Sequence, residues 1–233
     1  MKAIILAAGM GTRLGNITSR TPKCLLKIDG VPILGIWLEK LYKLGVSEFL
    51  VNTHYLHQQV FSYLSEHRLS KFIKIVHEKK LLGTAGTLKK NLSFMDKDTF
   101  IIHADNYCKD TLVTFLKNHQ MQPHNILLSM LTFKADNPSE CGVVKTDKND
   151  ILIDYFEKVP LPPTNIANAA VFLVSKEFRD WLSKNAQNEF DFCKQIIPKL
   201  KNKAYCFKTK SFFIDIGSPS NLQKANNFSS SQF

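Results

Sequence analysis

No apolar run in this chain approaches the roughly 20 residues that a helix needs to cross a bilayer, so no membrane partner is expected. The opening "MKAIILAAGMGTR" lacks the length and flanks of a secretory signal. Cysteine is sparse. Cys24, Cys108, Cys141, Cys193 and Cys206 are odd in number and never form a CxxC pair, which favours free thiols in a reducing cytoplasm over disulfides or zinc. There is no internal repeat, and no Walker A loop, GxxxxGK[ST]. Gly9, Gly11 and Gly15 are spaced GxGxxxG, not the GxGxxG of a dinucleotide fold. Acidic residues are also few, 20 against 31 Lys and Arg, for a net charge of +11. The lysines are dispersed, and in "ILGIWLEKLYKLG" Glu39, Lys40 and Lys43 form the polar face of a helix. Nucleic acid is therefore not an expected partner, whereas a small polyphosphate fits the charge.

What is present is a regular alternation. Strand-like 3–8, 48–53, 72–77 and 99–105 are interleaved with helical 32–45, 57–67, 84–92 and 110–119. Continuous apolar strands between helices predict an α/β fold, Rossmann-like and three-layered, with a mixed, mostly parallel central sheet. Ligands of such sheets bind beyond the carboxyl ends of the strands. After residue 120 come close-spaced strands at 125–133, 141–146, 151–156 and 167–175, which predict an antiparallel or mixed extension of the same sheet. Helical residues follow at 176–200, short strands near 204–207 and 211–214, and a last helix near 218–225, with "NNFSSSQF" read as a frayed tail. Trp37, Phe61 and Phe115 sit in helical stripes and are expected in the core. His54 and His57 have HxxH spacing without a third ligand, so they are expected to flank a strand-to-helix loop. His103, two residues before Asp105 and sharing its face, is expected to be a satisfied, half-buried histidine, with a supporting place behind the Asp105 site as the alternative.

The stretch "AAGMGTR…TPK" carries the first chemical signal. Gly9 and Gly11 let the backbone approach an anion, and backbone N–H groups in such a turn cradle phosphate oxygens. Arg13 adds a planar set of donors suited to phosphate, and Lys23 a compact positive charge. "LAAGMGTRLGNITSRTPK" resembles the N-terminal signature of the sugar-1-phosphate nucleotidyltransferases, GxGTRLxPLTxxxPK, with Asn16 where that signature has proline. "EKKLLGTAGTL", "HADNY", "CGVVKTD", "YFEKV", "NAAVF" and "FFIDIGSPSNLQKA" are similar to further segments of the family, in the family's order. Val159 replaces the usual proline after "EK", and Ala170 replaces the glycine of NAG.

The resemblance implies a nucleotidyltransferase fold in one domain, 1–227. Its nucleotide-binding part spans about 1–120 and its sugar-binding part about 121–227, with 228–233 a tail. It implies transfer of a nucleoside monophosphate to a sugar 1-phosphate, with Arg13, Lys23 and Asp105 as catalytic residues and Mg²⁺ held by Asp105 and Asp215. Nucleotide binding is expected from Leu6, Ala7, Ala8, Gly9, Met10, Gly11, Thr12, Glu78, Gly83, Thr84 and Ala85. Sugar-phosphate binding is expected from Asn106, Gly142, Glu157, Lys158 and Asn168. Glu78 stands where the family reads the base edge. A carboxylate there can accept from the N1–H and N2–H₂ of guanine and meets repulsion from the carbonyls of uracil or thymine, which points to GTP. Mannose- and manno-heptose-1-phosphate guanylyltransferases are the most similar members, and they supply surface polysaccharide or glycoconjugate synthesis. Uridylyl, thymidylyl or cytidylyl transfer and a non-catalytic nucleotide-sugar sensor stay open, as does a homodimer. A cytoplasmic location is expected.

Overall fold

A computed structural model describes residues 1–230 of the chain. Its elements are β1 (Lys2–Leu6), β2 (Lys27–Ile28), β3 (Val31–Pro32), α1 (Ile33–Lys43), β4 (Glu48–Thr53), α2 (His57–Glu66), β5 (Ile73–His77), α3 (Gly83–Lys90), β6 (Thr99–His103) and β7 (Asn106–Cys108). They continue with α4 (Val113–Gln120), β8 (Leu128–Lys134), β9 (Gly142–Thr146), β10 (Leu152–Glu157), β11 (Ile166–Val174), α5 (Lys176–Asn185), β12 (Ala204–Lys208), β13 (Phe213–Asp215) and α6 (Pro219–Ser230). One nine-stranded sheet runs β10-β9-β11-β6-β1-β4-β5, with β8 on β11 and β12 on β8. β6, β1, β4 and β5 are parallel, and β11 turns the sheet antiparallel at β6. The mixed, mostly parallel α/β sheet expected from the alternation is what forms.

β1 explains why. Every residue of "KAIIL" is buried. Because successive strand side chains point to opposite faces, Ala3 and Ile5 pack with Ile33, Leu34 and Trp37 on one side, and Ile4 and Leu6 with Leu88, Phe172 and Phe192 on the other. Full burial of one such aliphatic chain contributes about 1.5–3 kcal/mol, so a strand buried on both faces anchors the centre of the sheet between two cores. The carboxyl ends of β1, β4, β5 and β6 then share one edge, where the glycine turn, Glu78 and Asp105 follow.

Several expectations change. Trp37 and Phe115 are buried, but Phe61 is 56 % exposed, because the inner face of α2 is carried by Val60 and Leu64 and position 61 lies off it. The 226–230 stretch expected to fray continues α6 instead. Asn226 Oδ1 accepts the N–H of Asp29 at 3.0 Å, and the Phe228 ring stacks on Phe212 with centroids 3.9 Å apart. Residues 231–233 of the expected tail lie outside the described residues. His54 and His57 do flank the β4–α2 loop: the His57 ring packs tilted against His77 with centroids 4.1 Å apart, and His54 Nδ1 lies 2.6 Å from the Glu78 carbonyl. No helix among the described residues is long and apolar enough to cross a membrane.

β11 is irregular where it matters. Its register against β8 shifts between Asn168 and Phe172, and Ala170 takes a left-handed φ of +48°. A Cβ in that region is strained, so Ala170→Gly is expected to raise stability by about 1 kcal/mol. The urea midpoint measures it.

Candidate active site

The site begins at the end of β1. The Ala7 N–H donates to Asn52 Oδ1 at 2.8 Å, which ties the glycine turn to the end of β4. The other end of the same buried amide donates to Glu78 Oε1 at 2.9 Å and reaches Thr87 Oγ1 at 3.2 Å. Thr87 Oγ1 lies 2.5 Å from Glu78 Oε1, and the Leu82 N–H donates to Glu78 Oε2 at 3.1 Å. Glu78 is thereby fixed by three donors with 2 % of its surface exposed. Its Oε1 already accepts two bonds, so the acceptor capacity that remains is at Oε2. Asn52→Leu would unpair the Ala7 N–H and remove one donor from Glu78. It is expected to lower stability by about 2 kcal/mol, read as a urea midpoint shift.

Leu6, Ala7, Ala8, Gly9, Lys23, Glu78, Gly83, Thr84 and Asp105 line a first cavity of about 230 Å³. Met10, Gly11 and Thr12 lie in the turn beyond it, where Gly11 has a φ of +68° and its carbonyl accepts from Thr18 Oγ1 at 2.9 Å. Ala85 faces the core, and its N–H donates to the Phe190 carbonyl at 3.0 Å.

The charged centre is made by a small ribbon apart from the main sheet. β7 pairs antiparallel with β13, setting Asp215 opposite Asn106, and the Ile216 N–H donates to the Asp105 carbonyl at 3.0 Å. Two carboxylates far apart in the chain therefore converge. Lys23 Nζ lies 2.5 Å from Asp105 Oδ2 and 3.2 Å from Asp215 Oδ1, and Arg13 lies 3.3 Å from Asp215 Oδ2. Burial alone would push the Asp105 carboxyl up, but the charges of Lys23 and His103 and the Lys23 hydrogen bond outweigh it and hold the carboxyl below its ordinary value. Neighbouring Cys24 is buried and its thiol is pushed up to about 12, chiefly by desolvation, so it is no nucleophile.

Hard carboxylate oxygens around a point that already holds a cationic ammonium suit a divalent cation. Among the described residues no group of three or more His, Cys, Asp or Glu could hold a metal alone. Two carboxylates completed by substrate phosphates and water are the arrangement that Mg²⁺ favours, so Asp105 and Asp215 fit it.

A second cavity of about 540 Å³ opens on the other side of Asp105, lined by Arg13, Asn106, Gly142, Glu157, Lys158 and Asn168 among others. Tyr155 donates to Glu157 Oε2 at 2.6 Å. A Cβ at Gly142 would lie 1.8 Å from that phenol oxygen, so only glycine admits the pair. Asn168 Oδ1 accepts the Ala170 N–H at 2.8 Å, and its Nδ2 faces Tyr155 and Cys193. Burial pushes the Tyr155 phenol and the Cys193 thiol up, so both stay neutral. Asn106 is buried, and its amide donates to the Ala169 carbonyl at 3.0 Å, bracing β7 against β11. Lys158 is exposed, with a left-handed φ of +53°. His103 lines both cavities, and its Nε2 is buried without a partner, contrary to the satisfied histidine expected.

Sequence reasoning missed Asn52, Thr87, Tyr155, Phe190 and Asp191. Asn52 closes a strand and Thr87 sits inside a helix, where neither residue type signals a role. The two cavities share His103, Asp105 and Asp191.

The geometry can be set beside known proteins. A family model described as "Nucleotidyl transferase" matches residues 2–232. A D-glycero-alpha-D-manno-heptose 1-phosphate guanylyltransferase of Campylobacter jejuni is 30 % identical over 220 residues, covering 94 % of this chain and 96 % of that one. The mannose-1-phosphate guanylyltransferase catalytic subunit beta of Dictyostelium discoideum is 28 % identical over 226 residues, 94 % of this chain but 62 % of that longer protein. The crystal structure of HddC from Yersinia pseudotuberculosis superposes with a TM-score of 0.80 at 25 % identity, covering 97 % of this chain and 98 % of that one.

Proposed function

From the premise that the chain belongs to the nucleotidyl transferase family, we propose that it transfers GMP from GTP to a sugar 1-phosphate, most like mannose or manno-heptose 1-phosphate. The reaction class is sugar-1-phosphate nucleotidyl transfer. A sugar-phosphate oxygen forms a bond to the α-phosphorus, the bond from that phosphorus to the bridging oxygen of the β-phosphate breaks, and pyrophosphate leaves. Such a reaction asks for positioning and charge neutralisation more than for a protein nucleophile.

The observation that carries this reading is the junction of the two cavities at Lys23, Asp105 and Asp215, with Arg13 beside them. The smaller cavity takes the nucleotide on the β1 turn, with backbone from Leu6 to Thr12 around the phosphates. Arg13 grips the β- and γ-phosphates, and Lys23 neutralises charge developing at the α-phosphate. The family generally uses a divalent metal. We assign Mg²⁺ held by Asp105 and Asp215, which supplies further neutralisation of phosphate charge when bound. Lys158 meets the incoming sugar phosphate, and Glu157 accepts from sugar hydroxyls, with Gly142 and Asn168 shaping that wall. Gly83 and Thr84 border the base and Glu78 reads its edge. The bidentate acceptance expected from the sequence narrows to Oε2, since Oε1 is taken by Asn52 and Thr87. Surface polysaccharide or glycoconjugate synthesis in the cytoplasm is the setting that such a product serves.

Phosphorus NMR of GTP, Mg²⁺ and mannose or manno-heptose 1-phosphate tests the reaction. The expected products are a GDP-sugar and pyrophosphate. Release of inorganic phosphate and GDP instead would overturn transfer in favour of hydrolysis.

A further inference from the structure

The nucleotide cavity has an aromatic wall that neither the motifs nor the charged centre uses. Phe190, between α5 and the helical turn at Phe192–Ile196, lines it together with Glu78, Leu81, Gly83 and Thr84. Its side chain is large and apolar, yet the residue is 55 % exposed. The segment is nevertheless held firmly. The Phe190 carbonyl accepts the Ala85 N–H at 3.0 Å, the N–H groups of Phe190 and Asp191 both donate to Gln195 Oε1 at 2.8 Å, and the Phe192 N–H donates to Thr84 Oγ1 at 2.7 Å.

Gly83 makes this approach feasible. It has a φ of +72°, and a Cβ there would lie 2.2 Å from the Phe190 carbonyl oxygen and 2.6 Å from the ring Cγ. Any side chain at position 83 would push the segment off α3. The local sequence thus presses a half-exposed ring against the cavity that holds the buried Glu78 carboxylate. A planar ring bounded by an edge acceptor and an apolar face suits a planar heterocycle. Every base has a π-face, so stacking binds bases without selecting among them, and selection falls to the edge.

We infer that the Phe190 ring is the stacking face for the nucleobase. The inference rests on the reading that the smaller cavity takes the base of a nucleoside triphosphate. Phe190 binds, Glu78 discriminates, and Asp191, which lines both cavities, joins the stacking segment to the sugar side.

Two variants and two readouts test it. Phe190→Leu keeps an apolar chain but removes the π-face, and the exposure of the ring means that the fold should survive, as circular dichroism checks. By calorimetry with Mg²⁺ and GTP it is expected to bind about tenfold more weakly than the parent protein. KM for GTP should rise by a similar factor while kcat stays near the parent value. Phe190→Trp should keep parent affinity, and GTP should quench its fluorescence beyond any change shown by the parent, which already contains Trp37 and Trp181. Parent-like GTP affinity in Phe190→Leu, or GTP binding to Phe190→Trp without added quenching, would overturn the stacking role and leave nucleotidyl transfer standing. Binding and quenching by UTP or ATP, with no binding of GTP, would support the platform and overturn the guanine reading. Failure of every triphosphate to bind the parent would overturn both the cavity assignment and the stacking inference.

Discussion

Asp105→Asn is expected to lower kcat by about a thousandfold, with the protein still folded, as steady-state pyrophosphate release and circular dichroism would show. The substitution keeps the shape and leaves an amide oxygen for Lys23, but removes one of the two negative charges that converge at the cavity junction. A divalent ion would then have a single charged protein ligand, and Lys23 a single counter-ion. A stability signature accompanies the loss. The Asp105 carboxyl is held below its ordinary value in the folded protein, so its ionisation stabilises the fold at pH values above the ordinary carboxylate range. That contribution is lost as pH falls through the lowered value. The gap in urea midpoint between parent and Asp105→Asn should therefore be widest near neutrality and close in acid. Near-normal turnover in a folded Asp105→Asn protein would contradict the assignment of the metal and phosphate centre.

Glu78→Gln should change which base is used. In the parent, Oε1 accepts from Asn52 and Thr87, and Oε2 accepts from the Leu82 N–H. A glutamine whose amide oxygen keeps the doubly bonded position turns its NH₂ toward the Leu82 N–H, donor against donor. Losing that buried bond is expected to destabilise the protein by about 1–2 kcal/mol. The remaining acceptor site also becomes a donor. Guanine, which presents N1–H and N2–H₂, loses its partner, while the carbonyls of uracil gain one. The ratio of kcat/KM for GTP over UTP is expected to fall about 100-fold, read from initial rates with each nucleotide. An unchanged ratio would mean that Glu78 shapes the wall without reading the base.

These two residues show what the sequence makes legible. The glycine turn, Lys23 and the alternating first half are local patterns, and the structure sets them along one sheet edge because β1 is buried on both faces. Asp105 and Asp215 could be singled out as residue types, but their approach depends on the β7–β13 ribbon, a non-local pairing of short strands that periodicity cannot register. Glu78 was visible, while the saturation of its Oε1 was not, because Asn52 and Thr87 come from a strand end and a helix interior. Phe190 carried no signal at all: in "NEFDF" it falls inside the 176–200 stretch read as helical, whereas α5 ends at Asn185, and only Gly83 opposite it explains its place. Phe61 shows the limit of reading aromatics as core, since a shift of one position from Val60 takes it off the inner face of α2.

The most direct test of the central claim is pyrophosphate release with Mg²⁺, crossing GTP, ATP, UTP, CTP and dTTP against mannose, manno-heptose, glucose and amino-sugar 1-phosphates. The expected result is release confined to GTP with one mannose-type sugar 1-phosphate, dependent on the metal. Release confined to another triphosphate would contradict guanine recognition by Glu78, and no release with any pair, from protein that binds GTP by calorimetry, would contradict the guanylyltransferase reading itself.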